Sequence, residues 1–143
     1  MTRSTRMAVL LSLTLLAAPL ASAGEGYKVV VNPNNPTSSV SKAQLSALFL
    51  KKAAWPNGQA VQPIDLAEDS AVRRAFTTAV HARPVSAIKA YWQQKVFTGR
   101  DVQPTEEAGD AAVVAFVHAN PGAVGYVSET FATADLKVLA VNP

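Results

Sequence analysis

Val61-Gln-Pro-Ile-Asp-Leu-Ala-Glu-Asp-Ser-Ala-Val-Arg-Arg-Ala-Phe76 reads as a strand, a short turn and the opening of an amphipathic helix. Val61 to Leu66 is the strand. From Ser70 onward Val72, Phe76, Ala79 and Val80 recur at helical spacing, with Arg73, Arg74, Thr77 and Thr78 expected to face away from the core. A strand that turns straight into a helix leaves the first amide N–H groups of that helix without partners. Those donors, at the positive end of the helix dipole, form a place where an anion can sit. Ser70, Ala71, Val72 and Arg73 are therefore the candidate ligand-binding residues.

Outward from this stretch the chain alternates strands and helices. Tyr27-Lys-Val-Val-Val31 is a β-branched run that ends at Asn32-Pro33-Asn34-Asn35-Pro36, where two prolines stop strand pairing. Ser41 and Gln44 fit a capping box, and Val40 and Leu45 a hydrophobic staple, for a helix whose buried stripe is Leu45, Leu48 and Phe49. Lys51 and Lys52 suit the helix C-terminus, and Pro56-Asn57-Gly58 makes a turn. Pro84 opens a further helix with Val85, Ile88, Trp92 and Val96 on one side, and Gly99 ends it. Thr105-Glu106-Glu107 supplies a capping hydroxyl and early acids for a helix running to about Ala119. Val113, Val114, Phe116 and Val117 make that helix the most buried one expected. Two strands, Ala123 to Val127 and Lys137 to Val141, close the chain. The order β-α-β-α-α-α-β-β predicts a single α/β domain around a small, mixed sheet.

The first residues read as an export signal. Arg3 and Arg6 precede the apolar run Met7 to Ala18, Pro19 breaks it, and Ala21-Ser22-Ala23 is the small-x-small pattern of a cleavage site. The apolar run is shorter than the ~20 residues of a membrane span. The expected organisation is a signal peptide over residues 1–23 and one domain over residues 24–143, in a periplasmic or secreted protein. Loss of Arg3 and Arg6 takes the 13 basic residues to 11 against 10 acidic ones, so the basic balance is partly a property of the leader. Nothing in that balance points to nucleic acid. The chain has no cysteine, which excludes disulfides, a thiol nucleophile and a lipid-carrying cysteine.

Val29-Val-Val-Asn-Pro-Asn-Asn-Pro36, Leu45-Ser-Ala-Leu-Phe-Leu-Lys51 and Trp55 resemble the second lobe of the periplasmic phosphate-binding proteins of ABC importers. Pro121-Gly-Ala-Val-Gly-Tyr-Val127 is similar to the family's Gly-Ala-Ile-Gly-Tyr-Val strand. The likeness covers Tyr27 to about Val141. It implies a single lobe of a periplasmic-binding-protein-like fold, with a small, mixed, mostly parallel sheet flanked by helices. It also implies phosphate or another oxyanion as ligand, and a role in uptake or sensing. The family's proteins close two lobes on the ligand, and this chain has length for one. The family's phosphate motif is Arg-x-x-x-Ser-Gly-Thr, with Phe four residues after the Thr. Aligned on Phe76, its Arg falls on Leu66, its Ser on Ser70, its Gly on Ala71 and its Thr on Val72. One ligating side chain of three is kept, and Glu68 and Asp69 add repulsion at the same turn.

Each candidate has a plainer reading beside the functional one. Ser70 is an oxyanion ligand or the ordinary serine of a helix start, the second being favoured. Arg73 and Arg74 reach over the helix start or lie on a solvated face, the second again favoured. His81 and His118 are 37 residues apart with no His-x-x-x-His pair, so no metal site and no catalytic dyad is expected. Trp92 belongs to a core stripe, while Trp55 precedes a turn and stays open between core and ligand stacking. No catalytic set and no cofactor motif stands out, so a binding protein is expected rather than an enzyme. The second function class is a periplasmic protein-interaction module with no small-molecule ligand, docking on a membrane or envelope protein. Mass spectrometry of the exported protein should find Gly24 as its first residue; a retained Met1 would overturn both the processing and the compartment.

Overall fold

The computed structural model describes residues 26–143, so the expected leader and its cleavage site lie outside the described residues. The elements are β1 (Tyr27–Val31), β2 (Ser39–Ser41), α1 (Lys42–Phe49), β3 (Gln62–Leu66) and α2 (Ala71–His81), then α3 (Val85–Phe97), β4 (Thr105–Glu107), α4 (Asp110–Ala119), β5 (Ala123–Ser128) and β6 (Lys137–Asn142). The strands form one six-stranded sheet in the order β2-β6-β1-β5-β3-β4. β2 pairs with β6, and β3 with both β4 and β5, in parallel; β1 is antiparallel to β5 and β6. The sheet is mixed and mostly parallel, as the resemblance implied.

Side-chain alternation decides the layers. Val29, Val31, Val124 and Tyr126 share the face that receives α1 and α2. Val30, Gly125 and Ile64 point to the other face, which α4 covers. A Cβ on Gly125 would stand 2.7 Å from Val113 Cγ1 and 2.8 Å from Ile64 Cγ2, so only glycine lets α4 lie this close to the sheet. The α1 capping box forms as expected, with Ser41 Oγ accepting from Gln44 N at 3.1 Å and Gln44 Oε1 from Ser41 N at 2.8 Å. Leu45, Leu48 and Phe49 are buried. Lys51 follows the end of α1 with a positive φ, and its Nζ donates to Val102 O at 2.9 Å. Trp55 is core: it is buried, and its Nε1 donates to Gly122 O at 2.9 Å.

Pro63 stands in an inner strand, where a missing N–H would ordinarily break the ladder. It is tolerated because β3 changes partner there. Gln62 and Pro63 pair with β5, whereas Ile64 to Leu66 pair with β4.

Four expectations need correction. Thr105-Glu106-Glu107 is strand β4 and not a helix start, because the open side of β3 needs a partner for its backbone groups. The following helix begins at Asp110, with Gly109 as its N-cap. That helix, α4, is not the most buried: Val113 and Val117 are buried, and Val114 and Phe116 only partly. It lies on the sheet with one face, whereas α2 sits between the sheet, α1 and α3 and buries five residues. Arg73 and Thr77 are among those five, so they face inward and not away from the core. Finally, the α3 stripe stops at Trp92. Ile88 and Trp92 pack on Leu50 as a small separate cluster, while Val96 is 46% exposed and Phe97 92% exposed.

Trp92→Ala should lower stability by about 3 kcal/mol, because it empties most of that small cluster. Phe97→Ala, one turn further along, should change it by no more than about 0.5 kcal/mol. Chemical denaturation midpoints of the two variants check the contrast.

Candidate functional site

β3 and β4 run in parallel, so the C-terminal ends of both strands and the starts of α2 and α4 meet at one edge of the sheet. The turn Ala67 to Ser70 carries the chain from β3 into α2, held by Ser70 N donating to Ala67 O at 2.9 Å. Ser70 is the N-cap in extended conformation, and its Oγ accepts from Arg73 N at 3.2 Å. The hydroxyl thus serves its own helix, the plainer of its two readings. Arg74 N donates to Ser70 O, which leaves the amides of Ala71 and Val72 as the helix-start donors with no acceptor among the described residues. Ala71 is exposed, and the Val72 side chain is buried. Of the four candidates, Ser70, Ala71 and Val72 come together at this edge through backbone.

The Arg73 side chain leaves the edge. Arg73, Phe76, Thr77 and Val80 form an i, i+3, i+4, i+7 stripe against the sheet. Its Nη1 donates to Leu66 O at 2.8 Å and to Glu106 Oε1 at 2.6 Å. Asp65, the charged residue of an otherwise apolar strand end, is buried beside it, with Oδ2 4.0 Å from Arg73 Nη2. Tyr126 closes the network. Its hydroxyl donates to Asp65 Oδ1 at 2.7 Å and accepts from Leu66 N at 3.2 Å. Burial raises the Asp65 carboxyl above its ordinary range, against the opposing pull of Arg73 and Tyr126. The Tyr126 phenol is likewise pushed up, first by burial and then by the neighbouring carboxylate. The sequence reading missed this network. The available signal was a lone acid in a buried strand together with an arginine on the inward stripe of the next helix, since buried charges come in pairs.

The edge itself is acidic. Glu68 and Asp69 lie in the turn, Glu107 ends β4 and Asp110 opens α4, where its Oδ1 accepts from Ser128 N at 3.2 Å. Leu66, which takes the place of the family's arginine, is 2% exposed and shares the face of Ile64, toward α4. An arginine there would enter the core.

The two histidines are not brought together. His81 on α2 exchanges a 2.7 Å hydrogen bond with Ser46 of α1. His118 on α4, across the sheet, pairs with Asp135 at 3.3 Å on the surface. Among the described residues no three His, Cys, Asp or Glu side chains are grouped so as to hold a metal ion.

Among solved structures, the architecture is similar to that of several phosphate-binding transport proteins. A Clostridium perfringens protein assigned as a phosphate ABC transporter substrate-binding protein, carrying bound phosphate, matches with a TM-score of 0.66 at 17% identity, over 82% of this chain and 45% of its own. An ABC-type phosphate transport receptor from Vibrio cholerae gives 0.64 at 18% identity, over 82% and 47%. PstS from Borrelia burgdorferi gives 0.58 at 16%, over 83% and 48%. The fold is that of one lobe of such proteins, and the chain spans less than half the length of each. No protein-family profile matches the sequence, and no curated protein is significantly similar to it.

His81 gives the site's surroundings a measurable pH response. Burial, and then the charges of Arg83, Arg73 and Lys52, lower its pKa from 6.5 to about 4. Between those values the unfolded chain binds more protons than the folded one, so this stability is complete above about pH 6.5 and is lost as pH falls toward 4. Denaturation at pH 7 and pH 5 should show about 2 kcal/mol less pH dependence in His81→Gln than in the parent protein.

Proposed function

We propose that the protein is an exported solute-binding-type module, built as one lobe, that holds phosphate or another oxyanion weakly and takes part in its uptake or sensing. The observation behind this reading is the open start of α2. The Ala71 and Val72 amides stand unpaired at the C-terminal end of β3, beside the Ser70 hydroxyl. That start belongs to a fold which, in the Clostridium perfringens protein, accompanies bound phosphate. A periplasmic or secreted location follows from the leader-like residues 1–23; among the described residues no helix is long and apolar enough to cross a membrane. The similar structures are binding proteins, and we read this chain as a binding protein rather than an enzyme.

Magnitudes make the binding weak. Micromolar affinity needs about −8 kcal/mol. A helix start contributes roughly 0.3–2 kcal/mol to an anion, and Arg74, which reaches back to this turn, spends an N–H on Asp69 O at 2.9 Å. Arg73 is committed inward, and Glu68, Asp69 and Glu107 oppose a negative ligand. A millimolar or weaker dissociation constant is the consistent outcome.

A second reading, an interaction module docking on a membrane or envelope protein, is favoured by one observation. Phe97 is 92% exposed, between Val96 at 46% and Val102 at 64%. Calorimetric titration with phosphate separates the two readings. On the first, the parent protein binds near-millimolar phosphate, and Asp69→Asn with Glu107→Gln tightens binding roughly threefold to tenfold by removing two repelling charges. Micromolar binding by the parent would contradict the weakness argued above. Absence of binding at tens of millimolar would leave the interaction module.

A further inference from the structure

Arg73 and Asp65 do not merely neutralise each other; they line a recess. It opens between α2, α3 and the ends of β3 and β4, with a volume of about 120 Å³. Asp65 and Glu106 form its sheet side, Arg73 its α2 side, and Lys89 and Trp92 its α3 side, with Glu68 at the rim. This is below the roughly 300–1,000 Å³ of sites for drug-sized ligands, so its occupant is small.

The charges in the recess do not balance. Lys89 is taken by Glu68 at 3.1 Å, a neutral pair. Arg73 is shared between Glu106 at 2.6 Å and Asp65, so one cation faces two carboxylates. Asp65 is 7% exposed, yet only its Oδ1 is hydrogen-bonded, to the Tyr126 hydroxyl. Its Oδ2 has no donor within reach among the described residues, because Arg73 Nη2 at 4.0 Å stands beyond hydrogen-bond distance. Asp65 Oδ2 opens on the recess and is bonded by no donor among the described residues, so it is an acceptor for water or for a ligand that brings an N–H.

We infer that this recess binds a small organic cation bearing N–H donors, of the ammonium or amidinium kind, with Asp65 Oδ2 and Glu106 as its acceptors. The cation supplies the missing positive charge and the missing donor together. Trp92 is part of the wall and gives an organic cation an apolar contact, while Lys51 Nζ already lies over its ring at 5.9 Å. Gln93 and Gln103, also lining the recess, offer amide oxygens to further N–H groups. A divalent metal ion is the poorer occupant. It asks for about six oxygen ligands, and the guanidinium of Arg73 stands where several of them would have to be. Phosphate is poorer still, with three carboxylates against two cations that are already paired.

The test follows the indole N–H signals of Trp92 and Trp55 by NMR while the full chain is titrated with ethylammonium or acetamidinium chloride. Trp55 lies in the main core, bonded to Gly122, and serves as the internal control. The Trp92 signal should shift and saturate with a dissociation constant in the millimolar range, about −4 kcal/mol, and Trp55 should not move. Tetramethylammonium, a cation without N–H donors, should bind at least tenfold more weakly. Glu106→Gln should weaken ethylammonium about tenfold, its folding checked by circular dichroism because Glu106 also pairs with Arg73. Asp65→Asn should abolish binding, and circular dichroism of that variant checks that it is folded. Equal response to tetramethylammonium, a Trp92 shift produced by sodium phosphate or acetate instead, or an unsaturated and non-specific shift of both indoles would each overturn the assignment.

Discussion

Tyr126 is the residue on which the rest of the structure depends. Its ring is fully buried and stacks on Phe76 with centroids 3.8 Å apart and planes 6° from parallel. Phe49 leans on both rings, so the centre of β5, the middle of α2 and the end of α1 share one aromatic cluster. The hydroxyl at the far end of the same ring meets Asp65 and the Leu66 amide. β3 is paired with β5 only through Gln62 and Pro63, and beyond that point the Tyr126 side chain links the two strands. One side chain therefore joins the apolar core to the polar end of the sheet, where buried groups are acceptable only if they are satisfied.

On the function proposed above, this arrangement keeps oxyanion binding at the α2 edge weak. An arginine aimed at a ligand has to be free of the protein's own carboxylates. Here the arginine of the first helical turn is drawn under the helix by Asp65, Glu106 and the Leu66 carbonyl. The Arg73 side chain works in the recess under the helix and not at the helix start, which faces outward. What remains at the edge is backbone donors and the Arg74 guanidinium among carboxylates.

Much of the fold was legible from local pattern. The α1 capping box, the turn into α2 at Ser70 and the inward stripe of Leu45, Leu48 and Phe49 depend on residues within one or two helical turns, and the chain forms them as read. The misreadings share a cause. Thr105-Glu106-Glu107 carries a good helix-start pattern, yet it becomes a strand because Ile64 to Leu66, some forty residues away, offer an unpaired backbone. Arg73 looks solvent-facing by its charge alone, and only its position beside Phe76, Thr77 and Val80 places it against the sheet. Val96 continues an apolar spacing but finds no element to cover it, since α3 packs on α2 and Leu50.

By itself, then, the sequence determined most of the order of strands and helices and the α/β class. These follow from short-range periodicity, capping chemistry and residue identity. Only the tertiary structure decided that Asp65, Arg73, Glu106 and Tyr126, spread over sixty residues, share one buried network, and that one carboxylate oxygen in it faces open space. The physical reason is that burying a charge is tolerable only with partners. In this chain those partners come from separate strands and a helix that meet only once the sheet has assembled.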